Sequence, residues 1–67
     1  MSVARNTEIS STSTQSFEDA IRQGLARATK TLRNVRSAWI KEQQVRFDGT
    51  KISEYQVNMM VTFVLDD

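Results

Sequence analysis

Residues 54–65 read EYQVNMMVTFVL. The odd-numbered positions Tyr55, Val57, Met59, Val61, Phe63 and Leu65 are all apolar, while the even positions carry Glu54, Gln56, Asn58, Met60, Thr62 and Val64. Strand side chains alternate between two faces, so a period of two over this length marks one buried face and one mixed face. A slip by one residue would carry the whole apolar set into water, which pins the register. Just upstream, Asp48-Gly49 is a hairpin signal, because glycine takes positive φ without a Cβ clash. Residues 36–47 then read as the partner strand. Ala38 and Ile40 point one way, and Ser37, Trp39 and Lys41 the other. Val45 and Phe47 fall on the opposite parity from Ile40, which predicts a bulge between them.

Further toward the N-terminus the period changes to that of a helix. Phe17, Ile21, Leu25, Ala28 and Leu32 recur at spacings of three and four and form one stripe. Ser16 is a suitable N-cap, and Glu18 and Asp19 put negative charge at the positive end of the helix dipole. Ala20, Gly24 and Ala28 lie near the stripe and are small enough to let the helix approach a sheet closely. Lys30 and Arg33 suit the other end, so the spacing predicts a helix from about residue 16 to 33. Ahead of it, residues 10–16 (SSTSTQS) read as a polar separator, and Val3, Arg5, Thr7 and Ile9 alternate weakly with their neighbours as a first strand.

The order is thus β-α-β-β, an α+β chain. The first and second predicted strands run in the same direction and the third runs against both. A fully antiparallel three-stranded sheet then needs the third in the middle, order 1-3-2. The helix covers the odd face of the last strand, and nothing in the chain covers the other face. That face carries Trp39, Gln56, Asn58, Met60 and Ser37.

Composition narrows the chemistry. The chain has 67 residues, read here as a single domain spanning 1–67, with no Cys, no His and no Pro, and a formal charge of +1. A domain of about this size buries only roughly 60% of its unfolded surface. With no disulfide available, self-association is the expected source of further stability. There is no thiol nucleophile and no histidine base, so the chain is expected not to be an enzyme. No apolar run reaches the ~20 residues of a membrane span, and the expected location is the cytoplasm. Arg22, Arg27, Lys30 and Arg33 lie off the apolar stripe. Acidic neighbours dilute their field, so they read as a solvated helix face rather than a nucleic-acid footprint.

The polar turn into Ser16-Phe17, the run Thr31-Leu32-Arg33-Asn34-Val35, the strand Glu54-Tyr55-Gln56-Val57 and the stretch Val61-Thr62-Phe63-Val64-Leu65 with its acidic tail together resemble the dodecin family over nearly the whole chain. The resemblance implies a sheet wrapped around its single helix and a hollow homo-dodecamer in the cytoplasm. It also implies flavin (FMN or riboflavin) held non-covalently for storage rather than catalysis. The family's flavin-contacting glutamine falls on Gln56, its stacking tryptophan on Ser37, and an acidic position of the site on Glu42. Trp39 stands two residues beyond Ser37, on the same predicted face and about 7 Å along the strand. Gln44-Val45 replaces the Arg-Gly that often follows the acidic position, and Val64 stands where many members carry a basic residue. Gln56, Trp39, Ser37 and Glu42 are therefore the candidate ligand residues. The alternative is a dodecin-like assembly without flavin that binds another small ligand or a metal ion such as calcium.

Overall fold

The computed structural model describes residues 3–65. Four elements follow one another: β1 (Ala4–Ser13), α1 (Phe17–Thr31), β2 (Val35–Asp48) and β3 (Lys51–Val64). All pairings are antiparallel and the sheet order is β1-β3-β2, as expected from the strand directions. The molecule is elongated, 51 × 19 × 13 Å.

The core is the expected odd face of β3. Val57, Met59 and Val61 are fully buried, while Tyr55 and Phe63 are half-buried at its ends and Leu65 is exposed. Burying each such aliphatic side chain stabilises the fold by about 1.5–3 kcal/mol. Against them lies α1, packed chiefly on β1 and β3 and barely on β2. Its innermost residues are Ala20, Gly24 and Ala28, while Phe17, Ile21, Leu25 and Leu32 pack around them, half-buried. The small residues thus form the line of closest approach and the large ones the flanks. Phe17 meets Tyr55 edge-on, with ring centroids 5.1 Å apart. Such an edge-to-face pair adds to the burial of both rings.

The helix starts as expected and ends earlier. The Ser16 hydroxyl accepts from the Asp19 backbone N–H at 3.0 Å. At the far end the last helical residue is Thr31, and Leu32 already has extended backbone (φ −108, ψ 139). Asn34 then takes φ 60, a left-handed conformation that asparagine tolerates better than most residues. This reversal starts β2 at Val35, so Arg33 belongs to the turn.

Two other expectations need adjusting. Residues 10–13 are not a separator. They continue β1, with Ser10 opposite Asn58 and Ser13 opposite Tyr55. Small hydroxyl residues serve here because α1 comes down on this stretch. A Cβ built on Gly24 would lie only 3.0 Å from Ser11 Cβ. The second adjustment concerns bulges. The predicted one falls between Ile40 and Glu42, and further register shifts occur between Val35 and Ser37 and between Arg46 and Phe47. Beyond the helix the β2–β3 hairpin runs on alone, and Phe47 and Ile52 near its tip are 67% and 51% exposed. Its two-residue turn, Gly49-Thr50, uses Gly49 at φ 65. The acidic tail residues Asp66 and Asp67 lie outside the described residues.

Candidate functional site on the open sheet face

The face of the sheet turned away from α1 is organised in rows, each running from β1 through β3 to β2. One row is Asn6, Thr62 and Ser37, and the next is Glu8, Met60 and Trp39. Then come Ser10, Asn58 and Glu42, followed by Thr12, Gln56 and Gln44. Arg46 opposite Glu54 closes the series. The bulge after Ile40 makes this alignment possible. Without it, strict alternation from Ser37 and Trp39 would send Glu42 and Gln44 to the helix side.

The four candidate residues therefore share one face. Ser37, Trp39 and Glu42 project from β2 and Gln56 from the central strand. Trp39 is 49% exposed and lies beside Met60 in the register. An indole half in water is available for stacking, and Met60 supplies a soft, adaptable neighbour. From the bulge the Lys41 ammonium lies 3.2 Å from Glu8, which joins the two edge strands across the central one.

Below Trp39 the face is polar and its groups bond to one another. Gln56 Oε1 accepts from Gln44 Nε2 at 3.3 Å and from Arg46 Nη2 at 3.2 Å. Gln56 Nε2 donates to Asn58 Oδ1 at 3.2 Å, which also accepts from the Ser10 hydroxyl at 2.7 Å. Asn58 Nδ2 donates to Glu42 Oε1 at 2.9 Å. Arg46 Nη1 reaches Glu54 at 3.3 Å. Of these groups, Gln44, Arg46, Glu54 and Ser10 are ones that the sequence did not assign to the site. The signal for Gln44 and Arg46 was available only through the bulge, since register decides which β2 residues face Gln56, and that for Ser10 lay in the continuation of β1 through residues 10–13.

This face is open within one protomer. A groove of about 550 Å³ lies beside the helix, where Gln23, Arg27, Thr7 and Ser11 line it. None of the four candidates does. An open sheet face becomes a cavity only when a second surface is laid on it. The donor set present fits a flat heteroaromatic ring with a polar edge: an exposed indole and a thioether for the ring, and amides and a carboxylate for the edge. Among the described residues no cluster of three or more acidic, Cys or His side chains comes together. None of their helices is long and apolar enough to cross a membrane.

Comparison with known proteins agrees with this architecture. The family model described as Dodecin matches residues 3–66. A curated relative, dodecin from Thermus thermophilus, is 37% identical over 65 residues, covering 97% of this chain and 94% of the relative. A solved structure from the same organism superposes with a TM-score of 0.94 at 36% identity, covering 100% of this chain and 98% of that one. Dodecin from Streptomyces davaonensis gives 0.92 at 35% identity, with 98% and 97% coverage. A Mycobacterium tuberculosis protein described as a calcium-chelating antigen, calcium dodecin, gives 0.81 at 29%, with 96% and 91% coverage. Sequence match, element order and sheet topology coincide along the whole chain, which therefore belongs to the dodecin family.

Proposed function

We propose that the chain assembles with copies of itself into a closed cytoplasmic shell, twelve in number on the family pattern. In it the open sheet faces hold a flavin, riboflavin or FMN, non-covalently. The role is storage and sequestration, not conversion. The observation that carries this reading is Trp39, half-exposed on a sheet face with no cover, beside Met60 and one row from the Asn58–Glu42 pair. A half-exposed indole yields further burial energy only when another surface covers it, and a chain this short has reason to bury the face against its own copies.

In this assignment Trp39 stacks on the ring, Gln56 and Glu42 meet its polar edge, and Ser37 leaves space at the neighbouring row. A bound flavin would supply its own redox chemistry; these residues would bind, orient and shield it. The alternative, a calcium-type site as in the name of the mycobacterial relative, is less well supported. Glu42 is engaged by Asn58 and Glu54 by Arg46, two rows apart on the face.

Native mass spectrometry of freshly purified protein, followed by titration with riboflavin and FMN, tests the reading. A homo-oligomer that quenches flavin fluorescence is expected. A folded monomer near 7.7 kDa would overturn assembly, and unquenched flavin at micromolar protein would overturn the ligand.

A further inference from the structure

The polar half of the open face is a directional chain of hydrogen bonds with a fixed residue at each end. Arg46 can only donate, since its guanidinium carries no acceptor and stays charged. Glu42, ionised, can only accept. Between them stand the two amides that have a choice of orientation, Gln56 and Asn58. With Arg46 Nη2 on Gln56 Oε1, the Gln56 amino group must turn to Asn58 Oδ1, and the Asn58 amino group must turn to Glu42. Reversing Gln56 would set its N–H groups against the guanidinium. Reversing Asn58 would set its oxygen against the carboxylate. Only one sense of the chain leaves every contact matched.

Gln56 Oε1 already accepts two bonds, and so does Asn58 Oδ1. Each amino group has one N–H donated and a second without a partner among the described residues. The two amides at the centre of the face therefore offer donors and no acceptor. We infer that Arg46 is a positioning residue that locks Gln56 as a hydrogen-bond donor toward the ligand, so that the site selects a planar ring presenting a carbonyl oxygen at that point. Arg46 itself is occupied by Glu54 and Gln56 and acts through the amide. The ligand part of this inference rests on the flavin reading; the orientation part does not.

The test uses the full-length assembly with Arg46→Ala, Arg46→Gln and Arg46→Lys, and two readouts. The first is riboflavin affinity from fluorescence quenching. The second, taken without ligand, is the pair of side-chain amide proton signals of Gln56 in selectively ¹⁵N-glutamine-labelled protein. Loss of one fixed hydrogen bond predicts roughly three- to tenfold weaker riboflavin binding for Arg46→Ala and Arg46→Gln, together with altered Gln56 amide signals. Arg46→Lys, still a charged donor, is expected to restore both. Arg46→Gln keeps side-chain bulk and serves if the alanine variant fails to assemble. The inference is overturned if Gln56 signals and affinity are unchanged in both neutral variants, or if lysine behaves as alanine does. Wild-type protein that ignores riboflavin but whose Gln56 signals respond to Arg46 as stated would defeat the flavin reading and leave the locked amide standing.

Discussion

The methyl group of Met59 lies 2.5 Å from the point that a Cβ on Gly24 would occupy. Real Cβ atoms do not come so close to another heavy atom, so helix and central strand are in contact at the limit set by a glycine. Met59 is fully buried, and Ser11 Cβ, fixed to the β1 backbone, would lie 3.0 Å from the same point, so an added methyl meets the strand as well as the methionine. Gly24→Ala would gain up to about 1 kcal/mol of helix propensity. Overpacking costs about 1–3 kcal/mol and is expected to win. Chemical denaturation should show a net loss of roughly 1 kcal/mol. A stabilised Gly24→Ala protein would mean that the helix shifts freely over the sheet.

Asn34 occupies the left-handed region at φ 60 and closes the turn from α1 into β2. Its backbone carbonyl accepts from the Val64 N–H at 3.1 Å, and its side chain donates to the Val64 carbonyl at 3.3 Å. Asn34→Ala combines a conformational cost of about 1–2 kcal/mol with loss of the side-chain bond. Asn34→Gly loses the side-chain bond without that conformational cost. The alanine variant should therefore unfold at lower denaturant concentration than the glycine variant. Equal midpoints would show that the backbone conformation carries no cost there.

Asp19 ties the start of α1 to the end of β1. Its carboxyl is held below the ordinary aspartate range, first by the Ser13 hydroxyl donating at 2.6 Å. The Gln23 amide and the Arg22 charge act in the same sense, and desolvation opposes them. A carboxyl depressed in the folded state contributes stability that is complete above the unfolded-state value, near pH 4, and is lost as pH falls through the lower folded-state value. Below about pH 4 the wild-type protein should lose stability with a component that Asp19→Asn lacks. Denaturation midpoints at about pH 6 and about pH 3 check this: the variant should start lower and fall less. Parallel declines would remove Asp19 from the acid limb.

Trp39→Ala separates ligand stacking from packing between copies. The indole is half-exposed in the protomer, so secondary structure by circular dichroism should be unchanged. Riboflavin affinity should fall about tenfold or more, reflecting lost ring burial and stacking. If affinity holds and the oligomer dissociates, Trp39 is a contact between copies instead.

By itself the sequence determined the order of elements, the central place of β3, the face that is buried and the face left open. Local alternation suffices for those, because an unbroken apolar period of two or of three to four tolerates only one burial pattern. The reach of β1 through residues 10–13 was hidden, since serine and threonine look like loop residues until a helix presses Gly24 against Ser11. The membership of the polar chain was half legible, since the parity of Val45 and Phe47 announces a bulge after Ile40 but not where it falls. Whether Gln44 and Arg46 meet Gln56 depends on the bulge between Ile40 and Glu42, which turns the remainder of β2 over. A bulge relieves a mismatch between two strands, so its position belongs to their pairing and not to either strand alone.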